Sequence, residues 1–360
     1  MSKRVMAAMA VAAAGICVGR SSFAAGIQTG DLVVLQVGDG NETLANTGNS
    51  TFLDEFSTAG VNRNNTIAIP DSGANALIVS GTATSEGAIS VSPDGKTITV
   101  SGYNTPQATS ATSLTKTDSG TVPRGTGAVN AATGAFTFTG TYGANFTKNN
   151  VRSSVSDGTH TWGVGANSGV VLADNTGTVV STTSANNRVI NVINGNLYFS
   201  TGSGTTGIYE ISGTPTVSGA TATEVIAEGG SPYGFSINAA GTVAYIADDG
   251  TGANAAGIEK WVLQSGTWNN VYTFTTSSGD SLRGLAVDWS TGTLYASSPS
   301  ALYKVTDAGA ADTMSAIAAA PTGTVFGGLV LAQAAAAPVP EPASLGVMAA
   351  GALMLLKRRR

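Results

Sequence analysis

Cysteine and histidine are almost missing from this 360-residue chain, which has one of each, Cys17 and His160. That count excludes a disulfide framework and any zinc centre built on Cys and His. A Ser-His-Asp nucleophile system would have only His160 as its base, and no Gly-x-Ser-x-Gly elbow accompanies it in the body of the chain. Set in Ser156-Asp157-Gly158-Thr159-His160-Thr161-Trp162, it reads as a turn histidine beside a packed tryptophan. Charge is scarce too, with Asp, Glu, Lys and Arg making up 11% of residues. Long apolar runs at a 3.6-residue period are absent, which argues against a helical bundle.

What is present is Gly, Thr, Ser, Ala and Asn. Short β-branched and aromatic stretches recur between turn residues, the pattern of an all-β protein. Leu32-Val33-Val34-Leu35 and Val189-Ile190-Asn191-Val192-Ile193 are too apolar for a solvated coil. Between Ala25 and Val339 stand 10 basic and 21 acidic residues, a balance of −11. Such a surface repels nucleic acid and lacks a basic patch to neutralise phosphates.

A repeat emerges when the turns are aligned. Arg283-Gly284-Leu285-Ala286-Val287-Asp288 leads through Trp289-Ser290-Thr291-Gly292 into Thr293-Leu294-Tyr295-Ala296-Ser297. Tyr233-Gly234-Phe235-Ser236-Ile237 leads through Ala239-Ala240-Gly241 into Val243-Ala244-Tyr245-Ile246. Glu86-Gly87-Ala88-Ile89-Ser90-Val91 leads through Ser92-Pro93-Asp94-Gly95 into Thr97-Ile98-Thr99-Val100. Weaker copies begin at Arg124-Gly125 and Arg188, and a half-copy is Phe326-Gly327-Gly328-Leu329-Val330-Leu331. Gly87 to Gly125 is 38 residues, Gly234 to Gly284 is 50 and Gly284 to Gly327 is 43. These gaps bracket the roughly 40–50 residues of a four-stranded blade. The expected fold is therefore a single β-propeller over residues 27–331. Dividing the body by about 43 residues gives seven blades, with strands at 31–37 and 327–331 closing the ring in one blade. The alternative architecture is a parallel β-helix, which needs a shorter coil period. The segments Ser85-Glu86-Gly87, Ser92-Pro93-Asp94-Gly95-Lys96 and Gly257-Ile258-Glu259-Lys260-Trp261 resemble stretches of secreted bacterial propeller-like proteins of unassigned activity.

The two ends carry addresses. Lys3 and Arg4 precede an uncharged segment 5–19, and Ser22-Phe23-Ala24 supplies small residues for a cut between Ala24 and Ala25 or one residue later. Residues 1–24 read as a secretory signal peptide that takes Cys17 with it. At the other end an Ala/Pro spacer, 332–339, precedes Pro340-Glu341-Pro342, an apolar segment 343–356 and Lys357-Arg358-Arg359-Arg360. As a helix the apolar segment is roughly 21 Å long, against about 30 Å of bilayer hydrocarbon, so it suits a short transmembrane helix held temporarily. The basic cluster keeps its end cytoplasmic. The order of these three parts resembles the PEP-CTERM sorting domain of Gram-negative bacteria. The resemblance covers 340–360 and implies transient passage through the inner membrane. It also implies processing by an exosortase-like membrane protease, and delivery to the cell surface or the extracellular polysaccharide matrix.

Two functions fit the body. One is a non-enzymatic propeller that binds a glycan or a protein, with Trp261, Trp268 and Trp289 as candidate stacking or inter-blade residues. The other is a calcium-dependent hydrolase of phytase or lactonase type, with carboxylates gathered at the central channel. A β-helical adhesin goes with the alternative fold. No organic cofactor is called for. Calcium needs only oxygen ligands, and Asp248 and Asp249, directly after a strand, are the candidate metal residues, with Asp39-Gly40-Asn41-Glu42 a second acidic turn.

Overall fold

The computed structural model describes residues 25–107, 110–250 and 256–333. The expected signal peptide 1–24, most of the spacer, the sorting motif 340–360 and the apolar helix 343–356 lie outside them. Among the described residues no helix is long and apolar enough to cross a membrane.

Strands β1 (Leu32–Val37), β2 (Thr51–Phe56) and β3 (Asn62–Ala68) open the fold. A second group holds β4 (Ile89–Val91), β5 (Thr97–Tyr103), β6 (Arg124–Asn130) and β7 (Phe136–Thr141). The third holds β8 (Val151–Ser156), β9 (Thr161–Gly165), β10 (Val170–Leu172) and β11 (Val179–Ser181). The fourth holds β12 (Asn187–Ile193), β13 (Asn196–Thr201), β14 (Gly207–Ile211) and β15 (Thr223–Ala227). The fifth holds β16 (Pro232–Ile237), β17 (Val243–Asp248), β18 (Gly257–Gln264) and β19 (Thr267–Thr276). The sixth holds β20 (Gly284–Asp288), β21 (Thr293–Ser297), β22 (Ala301–Thr306) and β23 (Thr313–Ala319). The last strand, β24 (Val325–Leu331), pairs antiparallel with β1 and completes the first group. The terminal strands thus share one blade, and the ring closes without a free sheet edge between its ends.

Each group is an antiparallel meander, and β4, β8, β12, β16, β20 and β24 stand innermost, each beside the next around the ring. This is a β-propeller-like arrangement, and antiparallel pairing within every group rules out the parallel β-helix. The fifth and sixth groups also touch at their outer edges through a short parallel pairing, Thr275 to Thr313 and Thr276 to Met314, which merges them into one eight-stranded sheet.

The described residues form six groups of four, where the sequence spacing predicts seven. The physical reason is two irregular excursions. One, 69–88, separates β3 from β4; the other, 104–123, separates β5 from β6 and among its described residues contains only the short 3-10 turn Leu114–Lys116. The repeat copy at Arg124-Gly125 is out of phase as well, since it falls on the third strand of its blade and not on an inner one.

The core lies between blades. All six residues of β1 are buried. Val33, Leu35 and Val37 pack with Leu53, Ile89 and Ile98 on one side, while Leu32 and Val34 pack with Phe56, Tyr295 and Leu329 on the other. Alternation along a strand therefore feeds two cores at once. Each fully buried Val or Leu contributes about 1.5–3 kcal/mol relative to exposure, which accounts for an unbroken apolar run where a one-sided sheet would alternate.

Candidate functional site

The inner strands surround a cavity of about 520 Å³. Its lining includes Ile89 and Val91 from β4, Val189 and Asn191 from β12, and Phe235 and Ile237 from β16. Leu285, Val287 and Leu329 continue the wall. No described residue lining it is a carboxylate or a histidine. Strand β8 contributes none of the lining, because β4 and β12 meet across it, with Ser90 Oγ donating to the Ile190 carbonyl at 2.8 Å.

The two ends of this cavity differ. Past the ends of the inner strands, Pro93, Asn194, Gly195, Ala239 and Trp289 form an open mouth. Trp289 is 38% exposed; its Nε1 donates to Ser236 Oγ at 3.0 Å and its ring lies 5.3 Å from that of Tyr245. The other tryptophans pack inward, with Trp162 and Trp261 buried and Trp268 set against the apolar core between the fourth and fifth blades.

At the starts of the inner strands the ring is drawn shut by backbone hydrogen bonds between blades. Gly234 N donates to Arg283 O at 3.0 Å, Gly328 N to Gly87 O at 2.8 Å, and Ala88 N to Arg152 O at 3.1 Å. The recurring glycine of the repeat belongs to this contact. A Cβ at Gly328 would stand 2.5 Å from Ile89 N, and one at Gly284 2.9 Å from Leu329 N. Neither neighbour is a side chain that can move aside.

Arginines from three blades gather at this closed end. Arg188 and Arg283 lie over the Tyr233 ring, 4.2 and 5.0 Å from its centre. Asp249 accepts from Arg283 at 2.6 and 2.7 Å and stands 3.8 Å from Arg188 Nη1. Arg152 donates to Asn186 Oδ1 at 2.7 Å, and burial pulls its guanidinium below the ordinary range. Nearby, Glu86 accepts from Tyr103 Oη at 2.7 Å and from Ser80 N at 3.0 Å, yet burial pushes the carboxyl up to about 7.

Of the two metal candidates, the structure brings only Asp248 to a carboxylate cluster; Asp249 is taken by the arginines. Asp248 ends β17, and Glu259 lies on the paired strand opposite Ile246, on the same face. Glu228 arrives from the connection after β15. Ligand oxygens of the three lie within 4.8 Å of one another, and all three residues are buried. Glu228 and Glu259 escape a reading by sequence, since neither sits in an acidic turn and only strand pairing and blade packing unite them with Asp248. The other acidic turn closes on itself: Asp39 Oδ1 accepts from Asn41 N and Glu42 N, both at 2.8 Å. His160 is half-exposed in the turn between β8 and β9, its ring 5.9 Å from Trp162, and it does not line the cavity. Ala25 is exposed, while Ala24 and residues 340–360, with Pro340, Glu341, Pro342, Lys357, Arg358, Arg359 and Arg360, lie outside the described residues.

Fold and cavity together define a β-propeller-like protein. Among solved structures the chain is similar to one from the nidogen–laminin complex, at 13% identity and a TM-score of 0.53, covering 84% of this chain and 98% of that one. It also matches a protein described as a candidate 6-phosphogluconolactonase from Bacteroides uniformis (14% identity, TM-score 0.45, covering 81% and 83%). A gluconolactonase from Xanthomonas campestris matches at 11% identity and a TM-score of 0.42, covering 70% and 81%. No family model and no curated protein matches the sequence. The first likeness supports the fold and nothing finer.

Proposed function

We propose that this is an exported, non-enzymatic binding propeller of the cell surface or extracellular matrix, and that its ligand is a glycan taken at the open mouth of the inner cavity. The observation that carries the reading is the chemistry of that cavity. Its described walls mix aliphatic and aromatic side chains with Asn191, Ser236 and Arg283, and hold no carboxylate or histidine to act as base or acid. Its mouth offers an indole and amides. A sugar ring has an apolar face and a polar rim, so it stacks on an indole while its hydroxyls bond to amides. The hydrogen bond to Ser236 holds the Trp289 ring in one orientation before any ligand arrives. A calcium hydrolase would place carboxylates where substrate enters, and the buried cluster at Asp248 lines no part of this cavity.

Export rests on the end signals alone. On this reading the segment 343–356 parks Pro340-Glu341-Pro342 at the outer face of the inner membrane, where an exosortase-like protease cuts. Mass spectrometry of the endogenous protein reads both mature ends, with loss of residues 345–360 as the expected result and retention of Arg360 in all surface protein as the contrary one. Binding is tested by sedimenting the full chain with extracellular polysaccharide. Wild type should co-sediment and Trp289→Ala should not. Equal retention of both would remove the mouth from the account, and turnover of a lactone or phosphate ester would replace binding with catalysis.

A further inference from the structure

We propose that Glu228, Asp248 and Glu259 hold one calcium ion at the junction of the fourth and fifth blades, in a structural site separate from the inner cavity. The inference does not rest on glycan binding or on export. Its basis is how the carboxylate oxygens are divided. One oxygen of each residue is already held by a donor: Glu228 Oε2 by Gly230 N at 2.8 Å, Asp248 Oδ1 by Ser231 N at 3.0 Å and Gly250 N at 2.6 Å, and Glu259 Oε2 by Trp261 Nε1 at 2.8 Å. These bonds aim the carboxylates. The remaining oxygens of Glu228 and Asp248, Oε1 and Oδ2, are fully buried and have no hydrogen-bond partner.

These two orphaned oxygens converge on one place. A Cβ added to Gly230 would stand 2.5 Å from Glu228 Oε1 and 2.3 Å from Asp248 Oδ2. The residue there is glycine, so space between the oxygens stays open. Among the described residues no Lys or Arg forms an ion pair with any of the three carboxylates; the nearby arginines are spent on Asp249. Three buried carboxyls without a counter-charge are costly unless they share a proton or a cation. Burial raises Glu228 and Glu259 above the ordinary carboxyl range, and the neighbouring Asp248 adds to both.

The donor set selects the ion. Calcium binds oxygens at about 2.3–2.6 Å with flexible geometry, so two ligands on one ion lie within about 5 Å of each other, as these do. Zinc and copper favour nitrogen and sulfur, and magnesium demands a regular octahedron with several retained waters. The rival occupant is a proton shared between Glu228 and Asp248.

Thermal unfolding of the full-length chain at neutral pH, in EDTA and in millimolar calcium or magnesium, separates the two. Calcium at about a hundred times its Kd should raise Tm by about 4 °C, with magnesium giving less. Titration calorimetry should report one ion per chain. Glu228→Gln and Glu259→Gln should each abolish the calcium response, while melting in EDTA at or above the wild-type temperature because one buried charge is gone. No calcium-dependent shift and no heat of binding in the wild type would overturn the proposal in favour of the shared proton. A response retained in both variants would overturn it as well, by placing the ion elsewhere.

Discussion

The two ends of the inner cavity are built from the same ring of strands, β4, β12, β16, β20 and β24, and have opposite characters. At the starts of the strands, glycines let the backbones touch, and charges crowd together at Arg152, Arg188, Arg283 and Asp249, which are partly buried, and at the buried Glu86. At the ends of the strands the walls spread, the lining mixes apolar side chains with Ser92, Asn194 and Ser236, and one tryptophan faces solvent. The difference teaches where rigidity comes from. The closed end fixes the ring through backbone contacts that tolerate no added atom, which leaves the open end free to vary its side chains without loosening the fold.

The sharpest way to break this contrast is a β-carbon at the closed end. Gly328→Val would drive a side chain into Ile89 N and the Ala88 backbone. It should cost about 4 kcal/mol, near the upper limit for overpacking. Ser236→Val at the open mouth should cost about 1 kcal/mol or less. Urea unfolding of both variants checks the pair, and equal losses would show that the two ends do not differ in tightness.

Next in size is a pH effect confined to the closed end. Glu86 has a folded pKa of about 7 against an ordinary 4.5. The folded state therefore holds its proton longer than the unfolded state does. Stability from this group is greatest below pH 4.5, declines as pH rises from there to 7, and above 7 is lower by roughly 3 kcal/mol. Glu86→Gln removes that slope, so the wild-type and variant stabilities measured between pH 5 and 8 should diverge in this sense. Parallel curves would mean that Glu86 is ionised throughout.

The repeat and its glycines were legible in the sequence, while the contrast between the two ends was hidden for physical reasons. The glycines at 234, 284 and 327 recur because a Cβ there would meet the backbone of the neighbouring blade, and Gly87 because its φ of +78° favours glycine. The blade count went wrong because residues 69–88 and 104–123 obey no period, and because Arg124-Gly125 imitates an inner strand while belonging to a third one. Asp248 was visible as an acid after a strand. Its partners were not, since Glu259 reaches it through antiparallel pairing and Glu228 through the packing of one blade on the next.

A smaller effect follows from the arginines. Arg283 forks onto Asp249 and also donates to Thr84 O at 2.7 Å, tying the sixth blade to the loop before β4. Arg283→Leu leaves Asp249 with Arg188 at 3.8 Å as its cation and Ser231 Oγ donating to it at 2.6 Å. The loss should be about 2 kcal/mol, below that of an isolated buried pair because one arginine remains. Adding Asp249→Asn should recover part of it, and a double-mutant cycle by denaturant unfolding measures the coupling. Strict additivity would show that the closed end is not held by this pair.

The least effect on stability, and the greatest on binding, belongs to Trp289. Trp261 is the internal control: it is 8% exposed and packs between blades with Val189, Phe235 and Ile246. Trp261→Ala removes buried ring area and should cost about 3–5 kcal/mol. Trp289 is 38% exposed, and its indole bonds only to Ser236 Oγ. Trp289→Ala should cost about 1 kcal/mol or less in unfolding while abolishing retention on polysaccharide. Trp289→Phe separates stacking from hydrogen bonding, because it keeps an aromatic face and loses the N–H. Partial retention by the phenylalanine variant would place the sugar on the ring. If the alanine variant instead unfolds as readily as Trp261→Ala, the indole is a packing residue and the open end is no more adapted to a ligand than the closed one.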